Sequence, residues 1–139
     1  MITCPYNCGF YHDDMQLLVC RPTGDLTADH MNDIAVCRDC IQAAGLTQIN
    51  RFHDLTGITS VSLSFNDVNR IAFEESLMRK SSSTIKACYL VPNALLYGTI
   101  RMYAALIESS GVAVHVGYDI DAFVDILEVD RAILESDPV

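Results

Sequence analysis

The segment Phe52–Ala72, "FHDLTGITSVSLSFNDVNRIA", decides how this chain folds. It opens on the end of an apolar strand, runs through a bend rich in Thr and Ser, and enters a helix near Phe65. A strand handed to a helix through a short polar bend is the unit from which α/β sheets are assembled. Ser64 stands where its hydroxyl can accept from the Asp67 backbone N–H, and the Asp67 carboxylate suits a first helical turn. Thr56, Gly57 and Thr59 read as turn chemistry. The same bend is also where an open α/β sheet offers hydroxyls and helix N–H groups to a ligand.

Outward from this bend, Thr47–Leu55 is a strand, and the helix after it turns Val68, Ile71, Ala72 and Met78 toward the core. Ile85–Val91 is a near-continuous apolar strand, which suits an interior parallel position. Pro92 and Asn93 begin a helix with Leu96, Ile100, Tyr103 and Ile107 on its buried stripe, closed by Gly111. Val112–Tyr118 is a fifth strand, followed by a short helix carrying Ile120, Phe123, Val124 and Leu127. Upstream, residues 2–11 form an edge strand broken by Pro5, and a turn leads to the strand Gln16–Pro22. Residues 23–30 form a loop into a helix capped by Thr27, with Met31, Ile34, Cys37, Ile41 and Ala44 on its stripe and Gly45 at its end. The order β-β-α-β-α-β-α-β-α predicts a single α/β domain. Its sheet is mostly parallel and five-stranded, with an antiparallel hairpin strand at the edge and about four helices, over residues 1–130. Residues 131–139 read as an acidic tail.

A length of 139 residues supports one buried core and not two. Nine Lys and Arg against 18 Asp and Glu leave a net charge of −9, which disfavours nucleic acid and anionic membrane surfaces alike. No apolar run approaches the ~18 residues a membrane span needs. The N-terminus lacks a basic segment followed by an apolar one, so a cytoplasmic protein is expected. Its six cysteines are then thiols. Cys4 with Cys8, and Cys37 with Cys40, have roughly zinc-like spacing and define an alternative metal or thiol site. Cys37 however lies on a helical stripe between Ile34 and Ile41, where cysteine packs as a small hydrophobe. Packing is the expected role.

Catalytic patterns are missing. His53 and Asp54 are neighbours on a strand and point to opposite faces, so they cannot form a dyad. His115 alternates with Val114 and Val116, and no nucleophile stands at motif spacing from a base and an orienting group. "RPTGDL" holds a single glycine and is no phosphate loop. A non-catalytic chain without a cofactor is expected.

Four stretches carry a family likeness: "LLVCRPTGDLTADH", "FHDLTGITSVSLSFNDV", "KACYLVPNALLYGTIRMYAALIE" and "GVAVHVGYDIDAF". Together they resemble the STAS superfamily of anti-sigma-factor antagonists and sulfate-transporter domains, and within it the SpoIIAA-like branch of small bacterial proteins. A Trp-Leu pair frequent in the last helix of that family is here Ile126-Leu127. The resemblance implies a regulatory or binding module that acts through a protein partner or small ligand. Its best-understood members switch by phosphorylation of a serine in an Asp-Ser-Ser-Gly-like run after the third strand. In that register Ser62 takes the place of the Asp, Leu63 that of the acceptor serine, Ser64 that of the next hydroxyl residue and Phe65 that of the glycine. The resemblance therefore implies a module without the usual phosphoserine switch.

Thr56, Gly57, Ser62, Ser64 and Asn93 form the candidate rim for a small anion or polar headgroup, since their loops belong to the carboxyl side of the sheet. The SpoIIAA-like fold is also grouped with the lipid-binding Sec14 domains, which implies an apolar ligand as the alternative. Leu95, Leu96, Tyr97, Met102 and Tyr103 surround more of their helix than one buried face requires. A homodimer would bury such an excess too, and is the expected arrangement.

Overall fold

In the computed structural model, which describes residues 9–29, 49–78 and 84–135, the apolar runs become strands of one central sheet. The elements are β1 (Gly9–His12), β2 (Leu17–Cys20), β3 (Gly24–Leu26), β4 (Asn50–Asp54), β5 (Ile58–Val61) and α1 (Phe65–Met78). They continue with β6 (Ile85–Leu90), α2 (Ala94–Leu106), β7 (Val112–Gly117), α3 (Ile120–Leu127) and α4 (Arg131–Glu135). The central sheet runs β1-β2-β4-β6-β7, antiparallel between β1 and β2 and parallel throughout the rest. That is the expected mostly parallel sheet with a hairpin edge. Pro5, the two cysteine pairs and the stripe Met31–Ala44 lie outside the described residues.

Strand register sorts the side chains onto two faces. Phe52 stands beside Cys88, and with Leu17, Val19 and Leu90 they pack against Phe123, Leu127 and Leu134 of α3 and α4. On the opposite face, Ala87, Tyr89 and Val112 pack with Val68 and Ala72 of α1 and with Leu96, Ile100 and Tyr103 of α2. The helical stripes of the sequence thus meet the sheet as their periodicity requires.

Two expectations fail. Residues 24–26 and 58–61, read as loop, are the short parallel strands β3 and β5 of a second sheet. Gly-Asp-Leu and Ile-Thr-Ser-Val are too short for period-two alternation to stand out, and a partner distant in sequence supplies the ladder. The supposed tail begins with a helix: Leu134 in α4 is 0% exposed. The Arg21 guanidinium donates to its carbonyl oxygen. The acidic composition of 131–139 concealed one apolar anchor.

Candidate functional site

The carboxyl ends of β4, β6 and β7 are held level by backbone bonds. Leu55 N–H donates to the Leu90 oxygen at 2.8 Å, and Val91 N–H to the Gly117 oxygen at 3.0 Å. The loops leaving these strands therefore share one rim, the region where open α/β sheets place ligands. The chain leaves β4 through Leu55–Gly57 into the β3–β5 ladder, which is closed by Gly24 N–H to the Gly57 oxygen at 3.1 Å and Ser62 N–H to the Leu26 oxygen at 2.9 Å.

Each candidate rim residue has a structural partner. The Thr56 N–H and hydroxyl both donate to Asp54 Oδ1, at 3.0 and 2.6 Å, closing a turn. Gly57 lets that turn approach the preceding loop: a Cβ there would stand 3.0 Å from Thr23 Cγ2 and 3.4 Å from the Pro22 oxygen. The Ser62 hydroxyl donates to Asp25 Oδ2 at 2.5 Å, and Ser60 to the other carboxylate oxygen at 2.8 Å. Ser64 and Asp67 form a reciprocal cap, Asp67 N–H to Ser64 Oγ at 3.1 Å and Ser64 N–H to Asp67 Oδ2 at 2.9 Å. These bonds from the Ser64 backbone and side chain hold the Asp67 carboxyl below its ordinary range. Asn93 caps α2, with Oδ1 accepting from Leu96 N–H at 3.0 Å. Thr56, Gly57 and Ser62 thus gather along the β3–β5 ladder, while Ser64 and Asn93 serve their own helices. Leu63 is partly buried and packs against the core.

The electrostatics follow from these partners. Asp25 and Asp67 face the very hydroxyls that an anion would need, and Asp54 holds Thr56. A phosphate would displace carboxylates that already satisfy the donors, against like charge. Large apolar side chains also stand in water: Phe65 is 60%, Leu95 64% and Tyr118 58% exposed. The Tyr118 ring stacks on Tyr97, centroids 5.4 Å apart and planes 11° apart. These three residues begin α1, lie in the first turn of α2 and follow β7, so all belong to the carboxyl rim.

The helix read as over-apolar proves more economical. Of the five, Leu96 and Tyr103 are buried, Tyr97 and Met102 pack partly against the core, and Leu95 stands in solvent; Leu106 at the end of the helix is 38% exposed as well. Between α1 and α2, an apolar cleft lined by Leu26, Leu63, Val68, Tyr89, Ile100 and Tyr103 has a volume of about 30 Å³. Ligand pockets occupy roughly 300–1,000 Å³, about ten times this volume or more.

A polar cluster under α1 escaped the sequence reading. Arg51 on β4 and Glu75 on α1 form a buried ion pair at 2.6 Å. His53, two residues along the same face, is 3% exposed and stacks on Tyr89 with centroids 4.5 Å apart. Burial, with Arg51 beside it, lowers His53 to about 3, so the imidazole is neutral at physiological pH. Burial, reinforced by Tyr103, pushes the Tyr89 phenol well above its ordinary value. A readable signal existed: Glu75 falls on the stripe of Val68 and Ala72, and Arg51 interrupts an interior strand. Asp54 lies on the opposite face of β4 from His53 and approaches Arg21 Nε at 3.7 Å, so no His–Asp dyad forms. Cys20 and Cys88 are buried thiols, and burial drives Cys88 up to about 12, far from a reactive thiolate.

Among the described residues no helix is long and apolar enough to cross a membrane. Comparison with protein-family models, with curated proteins and with solved structures finds no match to this chain.

Proposed function

We propose that this chain is a non-catalytic recognition module of STAS-like kind, acting in the cytoplasm by holding a protein partner at the carboxyl rim of its sheet. The observation that carries the reading is the exposure of Phe65, Leu95 and Tyr118 on that rim, at 60, 64 and 58%. Large apolar side chains kept in water beside polar neighbours are the raw material of a protein interface. Asp67 in the same helical turn as Phe65, on a chain of net charge −9, favours a partner segment that is apolar and basic.

The rim regulates by occupancy and not by phosphoserine. Leu63 stands where the resemblance puts the acceptor and packs against the core, while the Ser62 and Ser64 hydroxyls are engaged with Asp25 and Asp67. The same carboxylates oppose a small anion, and the 30 Å³ cleft opposes an apolar ligand. The test is affinity capture with the wild-type chain and with a Phe65→Ser, Leu95→Ser, Tyr118→Ser triple variant. A protein retained by the first and lost by the second, with the variant still folded, supports the reading. Equal retention by both, or stoichiometric phosphate on Ser62 or Ser64 in cells, overturns it.

A further inference from the structure

At the side of the sheet remote from β1, β7 pairs with β6 and turns its other edge outward, with no further strand among the described residues. Monomeric proteins commonly shield such an edge with Lys, Pro or a bulge. "VAVHVG" has none of the three, and its register with β6 is unbroken. Val112 is buried and the other five residues are half-buried, so the strand lies in a groove instead of standing proud. One wall of the groove is α2, with Arg101, Ala104 and Ala105, and the turn that follows it, with Glu108; the other is α3 with Ala122 and Ile126. A strand edge between such walls can accept another strand, because its outward N–H and C=O groups need partners and small side chains leave room.

The order of residues on the α2 wall selects the occupant. Arg101 stands at one end, Glu108 at the other, and Ala104 with Ala105 occupy the middle. A two-fold axis passing between the alanines carries each Arg101 to the partner's Glu108. Two antiparallel strands are related by an axis of that kind, normal to the sheet, and it sets the two α2 helices side by side on one face. Arg101 and Glu108 are exposed, and among the described residues neither has an ion-pair partner in its own chain. The wall carries one charge of each sign, so it matches itself better than it matches a uniformly basic segment.

We propose that β7 is the self-association edge of this protein. A second copy adds its own β7 antiparallel to the first, continuing the sheet across a two-fold axis with Arg101 of each protomer against Glu108 of the other. This pairing is independent of the rim reading, and it points the two rims in opposite directions.

The test uses the full chain. Light scattering across a dilution series is expected to give twice the 15.4 kDa chain mass at the upper concentrations. Arg101→Glu and Glu108→Arg each place like charges across the axis and are expected to weaken association by about tenfold or more. Combined as R101E with E108R, they restore the opposite-charge pairing and bring association back to within about threefold of wild type. Both sites are exposed, so circular dichroism should show the variants folded. Hydrogen exchange gives the strand-level readout: the Val112–Gly117 amides should slow as wild-type concentration rises and stay unchanged in the single variants. A monomer at every concentration overturns the proposal. So do single variants that associate like wild type, a double variant no better than the singles, or a dimer whose β7 amides ignore concentration.

Discussion

Arg51 and Glu75 bring two charges into a place built for apolar side chains, and the consequences fall on stability. A buried ion pair contributes little against a well-packed apolar replacement, yet removing one member strands the other. Glu75→Ala or Arg51→Ala should therefore cost about 3–5 kcal/mol in urea unfolding, whereas Arg51→Met with Glu75→Leu should cost much less than the sum of the two. Full additivity would mean that the 2.6 Å contact carries no coupling. His53 sets a pH dependence on the same face. Its folded value is about 3, against about 6.5 for an imidazole in the unfolded chain. Between these values the unfolded state binds a proton that the native state refuses, so stability must fall as pH drops through that window. The stabilisation is complete above about pH 6.5, and the slope approaches about 1.4 kcal/mol per pH unit from this one group. Replacing His53 by Phe, which keeps the ring against Tyr89, should flatten the dependence between about pH 6 and 4. An unchanged slope would show that the imidazole titrates in the folded protein like one in water.

Elements show which parts of the fold a sequence can disclose. The cap at Ser64 was readable because a cap is a bond across three positions, and Asn93, read as the start of a helix, makes the same bond. Ser64→Ala and Asn93→Ala should each lower stability by about 1 kcal/mol, with glycine at the same sites costing less. The stripes on α2 and α3 were equally readable, since helical periodicity needs no knowledge of the partner. What stayed hidden depends on partners far along the chain. β3 and β5 are strands because each supplies the other's ladder, and Asp25 joins the site because Ser60 and Ser62 arrive from 35 and 37 positions away. The helix α4 is fixed by Leu134, which fills the space above Phe52 and Leu127, with Arg21 donating from 113 positions upstream. Leu134→Ala should accordingly cost about 2–4 kcal/mol. Ending the chain after Asp130 should cost at least as much, a loss that a frayed tail could not produce.

At the scale of the whole molecule, the net charge of −9 works against both compaction and self-association, and the apolar layers on the two faces of the sheet must overcome it. Surface ion pairs offer little help. Arg70–Glu74 at 3.2 Å and the pairs of Arg131 with Asp121 and Glu135, at 2.8 and 2.6 Å, are all about half exposed, where solvent screens the attraction and little stability results. Screening therefore removes more repulsion than attraction. Raising NaCl from about 10 mM to about 0.15 M shortens the Debye length from ~30 to ~8 Å, enough to decouple charges on opposite sides of the domain while contacts under 4 Å persist. The urea midpoint at neutral pH should move upward with salt, by an amount worth on the order of 1 kcal/mol. The measurement belongs at one low protein concentration, so that association through β7 adds nothing. Because Arg51–Glu75 is buried and hardly screened, the Arg51→Met, Glu75→Leu variant should show the same salt response as wild type. A midpoint that falls with salt would mean that surface pairs, and not the excess of carboxylates, dominate the field of this protein.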